Sequence, residues 1–257
     1  MPPQDAPLAQ SIGPLQQRAD RGDRKAACRL AMELLRCDYV AYWAGSQANA
    51  GFDHEAELLR EGKIAAADAA ASRELHQLER LMDCRAVPEA LKARGAHYLV
   101  QAARAGEPEA MLRYADGQYW RPDGRGVLSD PGFEAWRREA PGMLQRALES
   151  GYPDAAIYLH IAHASDVGFM ASLIRDDPEQ ALAARHLHAR LFGRRSPLGH
   201  RGLDAAAQQR ARELAAQWHR NYFNDRTYLK PLMGHLYSAS ASPSETPPFC
   251  SDAGTQP

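Results

Sequence analysis

The chain has 257 residues, of which 45% are hydrophobic and 25% charged, and a formal net charge of -1. That is ordinary globular usage, long enough for one large domain or two small ones. It excludes a global basic field that would draw in nucleic acid, and no apolar run approaches the ~18 residues of a membrane-spanning helix.

The N-terminus, Met1-Pro2-Pro3-Gln4-Asp5, lacks the basic start and apolar stretch of a secretory signal. Helical patterning then begins, and with it an internal repeat. Three blocks align on a glycine without gaps: Leu15, Ala19, Gly22, Ala26, Cys28 and Leu30; Leu99, Ala103, Gly106, Ala110, Leu112 and Tyr114; Leu144, Leu148, Gly151, Ala155, Ile157 and Leu159. The leucine and the small or apolar residue before each glycine share one helix face. The glycine ends that helix, because it reaches the left-handed conformation of a C-cap without a Cβ clash. Acids (Asp23, Glu107, Glu109, Asp154) and prolines (Pro108, Pro153) follow at the start of the next helix, where dipole and missing donor suit them. Each block is therefore expected to be a helix–turn–helix hairpin, with Cys28 as a small core residue in the place of Leu112 and Ile157.

Between the first two blocks, Phe52 to about Met82 reads as helix, with Leu58, Leu59, Ala66, Leu75, Leu78 and Leu81 at the apolar positions and Gly62 as a weak point. Tyr119 to Pro131 reads as a linker. Asp177-Pro178-Glu179 opens a further helix that Gly193 ends, with Asp177 as its N-cap. A second loop spans Arg194 to Gly202, and Leu203 to about Phe223 forms the last long helix. Nothing shows the alternation and paired turns of a sheet. The expected fold is all-α, an α/α superhelix built as a solenoid of antiparallel hairpins over residues 8–237, with a disordered tail over 238–257.

The A-x-x-G-x-x-x-A spacing at Ala19, Gly22 and Ala26, and again at Ala103, Gly106 and Ala110, resembles the SEL-one-like repeat, a relative of the tetratricopeptide repeat. Gly124-Arg-Gly126-Val127-Leu-Ser-Asp130 resembles that family's connector between repeats. The likeness covers about Leu15 to Cys37 and Leu99 to Leu159. Ala31, Ala115 and His160 stand where the family usually has glycine, and the spacing from Asp130 to Gly151 is several residues long, with Pro141-Gly142 in the excess. The resemblance implies a non-catalytic adaptor that presents a helical-repeat surface to a protein or peptide partner.

The expected contact residues are aromatic and arginine side chains, which dominate interface hot spots: Tyr42 and Trp43 after the first block, and Tyr119, Trp120, Arg121 and Arg125 in the linker. The alternative for these rings is that they cap the protein's own core. Tyr222 to Tyr237 is expected to cover the end of the array. Cys37 and Cys84 each fall near a helix end and form a candidate disulfide; two buried free thiols are the alternative. If the bridge exists, an oxidising compartment such as a bacterial periplasm is favoured over the cytoplasm. No cofactor is expected, and no phosphate-cradling loop or nucleophile turn appears. The alternative function is a metal-binding protein or metal-dependent hydrolase of the cell envelope using His160, His163 and Asp166. His186 and His188, two residues apart on a helix, point in different directions and add little to such a site.

Overall fold

A glycine that closes one helix, followed by a residue that opens the next, is the recurring unit of this chain. The computed structural model describes residues 1–3, 6–46, 50–117, 120, 127–164, 170, 174–195, 202–233 and 249–250, without the side chains of 43–46, 50–54 and 73. Among them are eleven α-helices and no strand: α1 (Leu8–Asp20), α2 (Arg24–Ser46), α3 (Ala50–Arg60), α4 (Ile64–Arg85), α5 (Glu89–Lys92), α6 (Gly95–Arg104), α7 (Pro108–Ala115), α8 (Phe133–Glu149), α9 (Ala155–Ala164), α10 (Pro178–Leu191) and α11 (Ala205–Phe223). The fold class is all-α. No helix among the described residues is long and apolar enough to cross a membrane.

Gly22 shows the corner. Its φ is +90°, its N–H donates to the Ala19 carbonyl at 2.9 Å, and the next N–H, from Asp23, reaches back to the Arg18 carbonyl at 3.1 Å. This double closure satisfies carbonyls that a helix end would leave open. Asp23 then opens α2, accepting the N–H of Lys25 and Ala26 at 3.1 Å each. The same pair of backward bonds recurs at Gly106 and Gly151, as the repeat predicts, and at Gly62 and Gly193. At Gly62 the expectation of one long helix with a weak point is corrected: φ is +72°, and the chain turns fully from α3 into α4. Conversely, Pro141 and Gly142 do not interrupt α8, which runs through them for 17 residues.

The chain divides into two compact units, residues 1–98 with 234–249, and residues 99–233 with 250–257. In the first, α1 packs on α2, α3 on α4, and α2 on α4 and α5. Its core is Leu15 and Ala19 of α1 against Ala26, Ala27, Leu30 and Leu34 of α2, with Ala67, Ala70 and Cys84 of α4. Cys37 is bonded to Cys84, with their Cα atoms 5.4 Å apart. Cys28 is fully buried, as expected of a small core residue, and it is disulfide-bonded too, so no cysteine in the chain is free.

In the second unit α7, α8, α9, α10 and α11 pack in sequence, each on the next. Trp136 is fully buried on α8 and its indole N–H donates to the Tyr114 carbonyl at 2.7 Å. Asp177 caps α10 through the N–H groups of Glu179 and Gln180, and Asp204 caps α11 through that of Ala207. Within the stretch expected to be a disordered tail, Phe249 and Cys250 are buried. Phe249 lies under the Arg36 guanidinium in the first unit, and the Cys250 N–H donates to Glu109 in the second. A ring and a bonded cysteine hold these two positions despite polar neighbours. The rest of 238–257 lies outside the described residues.

Candidate protein-binding surface

The α3–α4 hairpin carries most of the large apolar side chains that the described residues expose. Leu59 on α3 is 51% exposed, and on α4 Ile64 is 65%, Leu75 61%, Leu78 52% and Met82 68% exposed. On a helix of 3.6 residues per turn, positions 64, 71, 75, 78 and 82 fall on one line. Leu75, Leu78 and Met82 form an apolar patch about 10 Å long, and Ile64 lies further along the same line, beyond the half-buried Ala71 and the exposed Asp68. Isolated exposed leucines mean little, whereas a contiguous apolar face signals a surface that something else covers.

The local sequence explains why α4 turns this face outward. A second, narrower face carries Ala67, Ala70 and Cys84, and it is this one that packs inward, with α4 against α2. Small side chains let the two helices come close enough for the Cys37–Cys84 bond. Of the six residues expected at the apolar positions, none is buried and four are exposed. Leu59, Leu75 and Leu78 lie outward, Ala66 is exposed, and Leu58 and Leu81 are half-buried.

One border of the stripe is acidic. Asp68, Glu79 and Asp83 sit 40 to 100 degrees from its midline by helical periodicity, and all three are exposed. Among the described residues Glu79 is engaged by His76 on its own helix, at 3.2 Å. Pairing of two copies about a two-fold axis at mid-stripe would set Asp68 of one helix near Glu79 of the other, a like-charge contact that costs stability. A basic border on the partner removes that cost.

The residues expected to meet a partner are distributed differently. Tyr42 is 46% exposed, while Trp120 is buried and packs edge-to-face on Trp136 with ring centroids 6.3 Å apart. Trp120 therefore has little surface to offer, and it serves the core instead. The side chain of Trp43, and Tyr119, Arg121 and Arg125 in full, lie outside the described residues.

His163 is buried, and the charge of His160 acts on His188. His160 Nδ1 lies 3.0 Å from the Ala181 carbonyl, His188 packs on Phe192 with centroids 4.8 Å apart, and Asp166 is outside the described residues. Burial pulls the pKa of His186 and of His188 below the ordinary imidazole value, helped by nearby cationic residues. Among the described residues no three His, Cys, Asp or Glu side chains gather into a group able to hold a metal ion.

Polar groups do gather inside the second unit. Arg113 and Glu109, one helical turn apart on α7, form an ion pair at 2.6 Å with side chains 0% and 2% exposed. The other Glu109 oxygen accepts the Cys250 N–H at 2.7 Å. Nearby, Asp154 accepts the N–H groups of Leu232 at 2.8 Å and Met233 at 3.2 Å. Burial pushes the Asp154 carboxyl up to about 6, against those two donors. These groups bond main-chain N–H groups of the C-terminal segment. On the surface of the same unit, Arg104, Arg138, Glu139, Gly142, Met143 and Arg146 line a cleft of about 340 Å³, and the Arg104 guanidinium is already forked on Glu139 at 3.0 Å twice.

No family model, no curated protein and no solved structure matches this chain.

Proposed function

We propose that this chain is a non-catalytic adaptor of the helical-repeat kind, a divergent relative of SEL-one-like solenoids, whose partner is a protein that docks an amphipathic helix on α4. The observation that carries the reading is the stripe Ile64–Leu75–Leu78–Met82 with Leu59 beside it, large apolar groups left open to solvent on one line. Helix-in-groove recognition reads apolar anchors at this spacing. The acidic border formed by Asp68, Glu79 and Asp83 assigns the partner a basic one, and it disfavours an anionic membrane surface as the occupant. Each half-exposed side chain contributes roughly 1 kcal/mol on burial. Five of them offset only part of the cost of association, so charge complementarity decides affinity as well as specificity. The two disulfide-bonded cysteine pairs support an oxidising compartment, such as a periplasm, as the place of action.

The test uses two synthetic amphipathic helices with the same leucine stripe, one bordered by lysine and arginine and the other by glutamate. Calorimetry on the full chain is expected to show binding of the basic-bordered peptide, weakened about tenfold or more in Leu75→Gln/Leu78→Gln, which removes two exposed anchors without touching the core. Equal binding of both peptides, or of neither, refutes the reading. So does a dimer in sedimentation that disappears in the double variant, because the stripe would then be a self-interface.

A further inference from the structure

A second cluster lies on another face of the first unit. Arg29, Glu33 and Arg36 follow one another at spacings of four and three on α2, and Arg80 of α4 lies close enough for its charge to act on Arg36 and Glu33. Arg36 is paired with Glu33, and its guanidinium lies over the Phe249 ring. Among the described residues, these three guanidinium groups share a single carboxylate. Arg29 is 1% exposed, and burial pulls its pKa below the ordinary arginine value, as it does for Arg80. The Nε atoms of Arg29 and Arg36 are buried without a hydrogen-bond partner among the described residues. A buried positive charge left uncompensated is costly, and surplus buried donors point to an acceptor that belongs there.

What covers Arg29 shows the shape of the occupant. Its two terminal nitrogens donate to successive main-chain carbonyls, those of Pro2 and Pro3, the second at 2.6 Å. A guanidinium fork holding consecutive carbonyls grips an extended chain by its backbone. Carbonyls accept hydrogen bonds but carry no charge, so Pro2 and Pro3 fit the fork and leave the positive excess in place.

We infer that Arg29, Arg36 and Arg80 form a binding site for an extended, acidic peptide segment of a partner protein, and that residues 1–3 of the chain itself occupy the backbone half of that site. Arg29 takes the partner's main-chain carbonyls in place of those of Pro2 and Pro3. Arg36 and Arg80 take a side-chain carboxylate, for which the planar fork of arginine is suited. This site is distinct from the α4 stripe. Arg80 lies on the opposite side of α4 from Leu75 and Leu78 by helical periodicity, so the two surfaces can be occupied independently.

The test titrates the full chain with a blocked hexapeptide, acetylated and amidated, that begins Pro-Pro and carries two glutamates, and with its glutamine counterpart. The glutamate peptide is expected to bind about tenfold or more tightly than the glutamine peptide, in the range of one or two charge-assisted hydrogen bonds. Arg80→Gln, at a half-buried position, should abolish most of that preference, and Arg29→Lys should weaken both peptides; if Arg29→Lys fails to fold, Arg80→Gln decides alone. In Pro2→Gly/Pro3→Gly the competing tail keeps its carbonyls but becomes more flexible, so the glutamate peptide should bind severalfold more tightly. Equal affinity for the two peptides, a preference unchanged in Arg80→Gln, no gain in the glycine double variant, or competition by inorganic phosphate alone at matched concentration would each overturn the inference. A Leu75→Gln/Leu78→Gln chain should bind the hexapeptide normally, which separates this test from that of the α4 stripe.

Discussion

The corner at Gly151 permits a sharp test of why glycine stands there. Its φ is +76°, and a Cβ built on it would lie 2.7 Å from the backbone carbonyl oxygen of Tyr222, near the end of α11. Gly193, in the same unit, has φ +58°, and among the described residues no atom beyond its chain neighbours lies within 4 Å of the equivalent position. Alanine at either site incurs the left-handed backbone cost of about 1–2 kcal/mol, reduced by roughly 0.5–1 kcal/mol because alanine narrows the unfolded ensemble. Gly193→Ala should therefore lose about 1 kcal/mol. At Gly151 the methyl also meets a helix backbone that cannot rotate aside like a side chain, and overpacking adds about 1–3 kcal/mol. Gly151→Ala should lose about 2–4 kcal/mol in all. Urea unfolding followed by circular dichroism and by tryptophan fluorescence measures both variants. Equal losses at the two sites, within about 0.5 kcal/mol, would refute the argument that Tyr222 approaches the corner closely.

Two further outcomes are expected. The Asp154 carboxyl sits at about 6 in the folded chain against an ordinary 3.8, so the folded state holds a proton between those values that the unfolded state has released. Stability should accordingly fall by about 3 kcal/mol as pH rises from 4 through 6; Asp154→Asn, which keeps a carbonyl for the Leu232 and Met233 N–H groups, should remove that part of the slope, and parallel wild-type and variant profiles would count against it. The Cys37–Cys84 bond closes a separation of 47 residues, so Cys37→Ala/Cys84→Ala should lose about 4 kcal/mol in the chain-entropy treatment, read as a lowered unfolding temperature of the first unit; a loss under about 1 kcal/mol would show that α2 and α4 are held by packing alone.

The corners were legible because their signal is local. A glycine flanked by an apolar helix face and an acid- or proline-led start specifies a turn whatever lies beyond it, and Gly22, Gly106 and Gly151 could be aligned on that ground. Gly62 carries the same backbone geometry, yet its following residues, Lys63-Ile64-Ala65, lack an N-terminal acid or proline, so only half of the signal was present. Trp120 was ambiguous for another reason. An aromatic ring next to arginines reads equally as an interface anchor or as core, and the deciding fact is the ring of Trp136 against it, 16 positions away in sequence. Arg29 gave no signal at all. An arginine within an alanine- and leucine-rich helix normally reads as a solvated position, and nothing in the spacing reveals that residues 1–3 fold back over it.

The orientation of α4 follows from a conflict that periodicity does not resolve. Periodicity identifies apolar faces but not which of two faces finds a neighbour. On α4 the larger face, Ile64, Leu75, Leu78 and Met82, would bury more area, and hydrophobic burial alone favours turning it inward. Against this stands the bond to Cys37, which requires Cα atoms within about 7 Å and has them at 5.4 Å. Interhelical distance is set by the side chains at the contact. Leucine and methionine between α2 and α4 would push the helices apart and carry Cys84 out of reach, whereas Ala67 and Ala70 allow the approach. The covalent bridge and the alanine face therefore select the same orientation, and the large apolar groups are left outside as its consequence. Had those groups been mere surplus, polar residues would serve the same positions on α4 equally well without the aggregation hazard of exposed leucine and methionine. Large apolar groups beside an acidic border suit the docking role proposed for this face.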